Sequence, residues 1–168
     1  MMKVLVISDS HGYHDLVRKA IGKEAPIDML IHAGDVEGDL VKILGPKREY
    51  SIHAVDGNMD WGDLGDTDVF DMGGHKVFLA HGHRYNVHFT MANLRKAAEE
   101  CGADVAIFGH THMPFCEEQN DILILNPGSV AKPRQLGLKK TYAVINIDDK
   151  TGEMKVRIKS LRGVSGWR

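Results

Sequence analysis

At 168 residues, 43% hydrophobic and 26% charged, the chain reads as one soluble globular domain, long enough to bury a core without disulfides or structural zinc. A formal net charge of −2 argues against a surface that coats nucleic acid. Cys101 and Cys116 form no CxxC pair and read as reduced thiols, which excludes a disulfide scaffold and points to a cytoplasmic setting.

In chain order, "KVLVIS" opens as a strand and runs into Asp9, Ser10 and His11. Its apolar run is too short for a secretory leader, and no later stretch approaches the ~20 apolar residues of a membrane span. A helix is predicted over 14–22, with Leu16, Val17, Ala20 and Ile21 on one face. The strand "DMLIHA" leads to Gly34 and Asp35, and "SIHAV" to Asp56, Gly57 and Asn58. "KVFLA" runs into His81, Gly82 and His83, followed by a helix predicted over 87–101 that Gly102 ends. "DVAIF" delivers Gly109, His110, Thr111 and His112. Two hairpins follow, one turning at Asn120-Asp121 and one between Asp149 and Gly152. A single domain over 1–160 and a loose tail over 161–168 are expected. Because the first runs are continuous rather than alternating, their strands should be buried on both faces. The class is therefore α/β.

Ligands of α/β sheets gather at the carboxyl ends of strands. Here five strands each deliver Asp, Asn or His at that end. A lone histidine reads first as a surface or satisfied core residue, and a lone GD or GN as a turn. Five such clusters at one sheet edge are not independent accidents. Asp9, His11, Asp35, Asn58, His81, His110 and His112 make seven donors, too many for one tetrahedral ion but suited to two ions with a bridging carboxylate. Nitrogen among oxygen donors favours Mn, Fe, Co, Ni or Zn over Ca or Mg, with Mn taken first. Two divalent cations bring about +4 against two aspartates, a surplus that suits an anionic substrate such as a phosphate ester. Gly34, Gly57, Gly82 and Gly109 permit the tight exits between these donors.

The ordered set "DSH", "GD", "GNMD", "HGH" and "GHTH", with "NPGS" at 126–129, resembles the calcineurin-like metallophosphoesterases over residues 3 to 160, in particular their small single-domain bacterial and archaeal phosphodiesterases. The resemblance implies two packed mixed β-sheets flanked by helices, with a dinuclear site at one edge. It implies one metal on Asp9, His11, Asp35 and His112, and a second on Asp35, Asn58, His81 and His110. The reaction implied is in-line hydrolysis of a small phosphodiester without a covalent enzyme intermediate. Arg134, just after "NPGS", is a candidate phosphate clamp, and Asn58 a substrate contact as well as a ligand.

One position departs from the family pattern. Many members carry histidine after "GN", where it protonates the leaving group or holds the phosphate; this chain has Met59, and a thioether donates no proton. His11 or His83 is then a candidate substitute acid, or the leaving group departs with help from the metals alone, and Asp60 either supports an imidazole or completes the turn. Two alternative readings are a phosphomonoesterase or nucleotidase using the same site, and a protein-interaction scaffold on the same fold. Seven intact donors argue against the scaffold. The chain has no room for a nuclease's added segments and no basic-aromatic platform, so no stable nucleic-acid partner is expected. No membrane partner is expected either, and a homo-oligomer is compatible with the sequence. Few residues remain to shape a deep specificity pocket, so the expected cleft is open and promiscuous.

Overall fold

Residues 1–161 are described by the computed structural model, and ten strands and three helices follow one another within them. In chain order these are β1 (Met2–Ile7), α1 (His14–Glu24), β2 (Met29–His32), α2 (Leu40–Leu44), β3 (Ser51–Ala54), β4 (Thr67–Met72), β5 (His75–Ala80) and α3 (Ala92–Glu100). The second half holds β6 (Val105–Ile107), β7 (Pro114–Gln119), β8 (Ile122–Pro127), β9 (Thr141–Ile147) and β10 (Met154–Ser160). Two five-stranded mixed sheets form, in the orders β10-β9-β1-β2-β3 and β4-β5-β6-β8-β7. Each carries three adjacent parallel strands, β1-β2-β3 in one and β5-β6-β8 in the other. The result is the expected pair of mixed sheets.

The period of two along each strand explains why the apolar runs are continuous. From β1, Val4 and Val6 join Ile31, Leu79, Ile107 and Ile145 in the core shared by both sheets. Leu5 and Ile7 point the other way and pack with Val17 and Ala20 of α1. The second sheet repeats the plan, with Phe78, Ala80 and Ala106 packing on Leu94 and Ala98 of α3. Strands covered on both faces need apolar residues at every position. A Leu→Ala change at such a site would cost about 2–5 kcal/mol.

Several expectations need correction. β3 is not buried on both faces: it is an edge strand, and Ser51 is exposed. α3 begins at Ala92 rather than 87, because residues 82–90 turn on themselves through Tyr85 N–H to Gly82 C=O and Phe89 N–H to Asn86 C=O. Phe89, inside the span predicted as helix, is exposed. β4 and α2 were not predicted: β4 buries alternate residues on a sheet edge, and α2 is a single short turn that Asp39 caps through the Lys42 amide. The tail does not begin at 161, since Leu161 is buried and its N–H donates to the Lys140 carbonyl. The rest of the predicted tail, 162–168, lies outside the described residues. Both hairpins turn where expected, with Asn120 and Asp121 at φ 52° and 60° and Gly152 at 71°.

Candidate metal centre

The exits of the parallel strands are laced together by backbone hydrogen bonds. Past β1 and β2, Asp9 N–H donates to Gly34 C=O (3.0 Å) and His11 N–H to Asp35 C=O (2.9 Å). Gly109 N–H donates to His81 C=O (2.9 Å), which joins the exits of β6 and β5, and Val130 N–H reaches Ser8 C=O (3.2 Å) from beyond β8. Two carboxylates, Asp9 and Asp35, thereby share one small volume with the imidazoles of His11 and His112. Asp9, His11, Asp35, His110 and His112 all hold φ between 44° and 66°. Asp and His tolerate this left-handed region better than most residues, yet each non-glycine residue held there costs roughly 1–3 kcal/mol. Such a concentration of strain marks a site built for something other than stability. Two glycines make the approach possible. At Gly34 (φ 93°) a Cβ would lie 2.6 Å from His81 Nδ1, and at Gly109 it would overlap the Ser8 hydroxyl.

Asp9 is fully buried; its Oδ2 accepts from Ser8 Oγ (2.6 Å) and from His110 N–H (3.1 Å). The donor atoms of Asp9, His11, Asp35 and His112 lie within 4.8 Å of one another. Next to them, His81 Nε2 is 3.3 Å from Asp35 Oδ2 and 3.2 Å from Asn58 Oδ1. The His110 ring stands 5.1 Å from that of His81. All seven predicted donors are therefore at one edge, four in a tight group and three beside it around Asp35.

The donor set fits cations. Ala33 and Lys132 carbonyls, which can only accept, hold Nδ1 of His81 (2.7 Å) and His112 (2.6 Å), so the proton is on Nδ1 and Nε2 faces the cluster. Glu37 does the same for His11 Nδ1 at 2.6 Å. His11 Nε2 and His112 Nε2 then point lone pairs at each other across 3.1 Å, an arrangement that a shared cation relieves. Asp9 Oδ1 is buried without a hydrogen-bond partner, 3.3 Å from His112 Nε2. Burial works to raise the Asp35 carboxyl, but the hydrogen bond and charge of His81 and the Met59 amide outweigh it and hold it at about 2. Burial works to lower His81, and its bond to Asp35 and the charge of Asp9 reverse that, leaving it raised. The carboxylates around His81 thus favour positive charge at this point, the sign that a metal cation carries. Burial, with the charges of His81 and His88, pushes His110 down to about 4, which leaves one ring nitrogen unprotonated at neutral pH.

The remaining predicted residues separate by position. His11 is engaged at both ring nitrogens, one on Glu37 and one in the cluster, so it is not a free acid. His83 stands 5.5 Å ring to ring from His81, and burial, then the charges of His81 and Arg84, lowers its pKa. Asp60 meets no imidazole: its carboxylate accepts from the amides of Val36 (3.2 Å), Glu37 (2.7 Å) and Gly57 (2.8 Å), bracing two loops. Of its two readings these contacts favour the turn, since Asp60 also donates its N–H to the Gly57 carbonyl (3.2 Å) and its carboxylate works as a brace. Arg134 is exposed and tied to the site through its N–H to the His112 carbonyl (3.1 Å). Sequence reasoning missed Glu37, His88 and Ser129. His88 faces His110 with ring centroids 4.8 Å apart, and Ser129 of "NPGS" donates to the Asp9 carbonyl at 2.8 Å. An orienting carboxylate two residues past Asp35 was the available signal for Glu37.

Residues 2–150 match the family model of the calcineurin-like phosphoesterase superfamily domain. The chain is 36% identical over 151 residues to the probable metallophosphoesterase YsnB of Bacillus subtilis (strain 168), covering 88% of this chain and 86% of that protein. It is 31% identical over 144 residues to the phosphodiesterase MJ0936 of Methanocaldococcus jannaschii, covering 76% and 83%. Among solved structures, a conserved predicted phosphoesterase from Streptococcus pneumoniae TIGR4 superposes with a TM-score of 0.82 at 30% identity, over 95% of this chain and 90% of that one. Vps29 of Entamoeba histolytica complexed with zinc, at 23% identity and a TM-score of 0.69 over 96% and 100%, shares the fold. With buried carboxylates and imidazoles converging at the joined strand ends, the chain belongs to the calcineurin-like phosphoesterase superfamily, divalent-metal-dependent hydrolases of phosphoester bonds.

Proposed function

We propose that this chain is a phosphodiesterase acting on small phosphodiesters at a two-cation centre, within a single domain over residues 1–160 into which Leu161 also packs. The observation that carries the reading is the convergence of Asp9, His11, Asp35 and His112 donor atoms within 4.8 Å, with His81 and Asn58 flanking Asp35. Asp9, His11, Asp35 and His112 would hold one cation, and Asp35, Asn58, His81 and His110 the other. Bound there, divalent cations supply Lewis acidity toward phosphoryl oxygens and make water a stronger acid. The protein's own part is orientation. Glu37, Ala33 C=O and Lys132 C=O fix the ring planes of His11, His81 and His112, and the Met59 amide fixes Asp35 Oδ1 at 2.9 Å. Arg134 is the candidate clamp for a non-bridging phosphate oxygen, and His83 the candidate proton donor or phosphate contact.

Manganese is our first choice of metal, with Fe, Co, Ni or Zn satisfying the same donors. Free Cys101 and Cys116 support a reducing, cytoplasmic setting. No helix among the described residues is long and apolar enough to cross a membrane. The test is hydrolysis of bis(p-nitrophenyl) phosphate against p-nitrophenyl phosphate. Diester turnover should be lost on chelation, restored by Mn²⁺, and exceed monoester turnover in kcat/KM. The reverse preference would make the chain a phosphomonoesterase, and no turnover of either ester would favour a scaffold.

A further inference from the structure

Beside the metal centre, between the chain leaving β2 and the loop after β3, lies a cavity of about 750 Å³. Its size is that of a small-molecule site, ~300–1,000 Å³, and it revises the expectation of a merely open cleft. The cavity adjoins the centre through two shared residues. Met59 lines it and donates its amide to Asp35 Oδ1, and Glu37 lines it and holds His11 Nδ1. Asp60 binds amides on both walls, so the cavity is a built part of the site rather than a gap between loops.

Its lining has a definite chemistry. Leu40 is buried in one wall, while Met59, Leu64 and Trp61 face outward on the other, and the Trp61 indole is fully exposed. Single exposed apolar residues are ordinary, but three grouped on one cavity wall form a patch that calls for an occupant. Every ionisable group in the lining is a carboxylate, from Glu37 to Asp63. From outside the lining Lys42 pairs with Asp39 (3.3 Å) and His11 with Glu37, which leaves Asp56, Asp60 and Asp63 without a cationic partner among the described residues. A second phosphate or other anion would be repelled there, whereas a flat uncharged ring can stack on the indole.

We propose that this cavity seats the organic arm of the phosphodiester, the ester group that stays on phosphorus, and that the preferred arm is a planar, uncharged ring stacked on Trp61. This rests on the phosphodiesterase reading and adds the substrate class to it: diesters with one phosphate and an aryl or similar ring arm, rather than simple alkyl arms or arms bearing further anionic groups.

The experiment compares p-nitrophenyl phosphodiesters that share one leaving group and differ in the retained arm, which is methyl, phenyl or p-carboxyphenyl, on the metal-reconstituted chain. The phenyl arm should exceed the methyl arm roughly 10-fold in kcat/KM, as expected of one stacked ring, with most of the gain in KM. The carboxyphenyl arm should lose that gain, and Trp61→Ala should bring the phenyl-to-methyl ratio close to one. On a Trp167→Phe background, diphenyl phosphate should quench Trp61 fluorescence and dimethyl phosphate should not. Turnover with equal phenyl and methyl values, a ratio that survives Trp61→Ala, or no selective quenching would each overturn the arm assignment alone. Absence of turnover on all three diesters would overturn the phosphodiesterase reading beneath it.

Discussion

Two buried acidic clusters in this molecule use the same ingredients to opposite ends. At the last turn of α1, Glu24 is 4% exposed, accepts from Tyr142 Oη at 2.7 Å, and pairs with Lys3 and Lys159. Burial works to raise its carboxyl, and the bonds from Lys159, Tyr142 and Lys3 outweigh it, holding it at about 2. Both of its oxygens are satisfied from within the chain. At the metal centre, Asp9 is equally buried, yet Oδ1 has no hydrogen-bond partner and the surrounding backbone is left-handed at five donors. A buried charge completed by its own chain holds the fold together; one left incomplete and strained is waiting for a ligand. Stability and function should therefore separate cleanly between the two.

The largest effect expected is at Asp35. Asp35→Asn removes the shared anion and should lower diester turnover by at least ~10³-fold, as loss of a central catalytic charge does. It should cost the metal-free chain less stability than the same change at Glu24. Asn tolerates the left-handed backbone, can accept from the Met59 amide, and relieves repulsion with Asp9. Steady-state kinetics together with denaturation of the metal-free protein measure both halves. Near-wild-type turnover would erase the contrast.

Next in size is Met59→His, which tests whether the missing imidazole limits departure of basic alkoxides. General-acid assistance is worth ~10²–10⁴-fold, so rates on alkyl esters should rise by up to that range relative to activated aryl esters. A flat response over a leaving-group series would show that the proton comes from another group, with His83 the first to examine.

Glu24→Gln should lower stability by about 2 kcal/mol, since two lysines and a tyrosine lose a charged partner, while kcat stays at the wild-type value. The pH dependence has a fixed sign. The folded carboxyl, at about 2, is below its ordinary 4.5, so its stabilisation is complete above that ordinary value and is lost as pH falls from about 4.5 toward 2. Urea midpoints across this window should drop in the wild type and flatten in Glu24→Gln. The smallest effect is Ser129→Ala, which removes the brace on the Asp9 carbonyl, at a cost of about 1 kcal/mol and a modest fall in turnover. A loss as large as that of Asp35→Asn would mean that the brace reaches the chemistry directly.

The sequence was most legible where strand physics and donor chemistry coincide. Parallel strands covered on both faces must be continuously apolar, so "KVLVIS" and "KVFLA" announced themselves, and the polar residues that end them could only be at the exits. The site's supports were harder to read, because they depend on which loops meet. Glu37 reaches His11, and Asp60 braces Val36 and Glu37, across more than twenty residues of chain, so the nearness of Glu37 to Asp35 hinted at a support without naming its partner. β4 escaped notice for a related reason: "TDVFDM" buries only alternate residues on an edge, and its strand character comes from pairing with β5. The cavity by Trp61 was invisible for the same cause, since its two walls are loops some twenty residues apart in sequence.

Metal stoichiometry tests the two-cation centre most directly. The chain is reconstituted with excess Mn²⁺, freed of unbound metal by gel filtration and analysed for elements beside Asp35→Asn and Asn58→Ala. The expected result is about two ions per wild-type chain, as a two-metal site requires, with none retained by Asp35→Asn and one by Asn58→Ala. One ion or none in the wild type, or two ions retained by Asp35→Asn, would contradict a centre built around a shared Asp35.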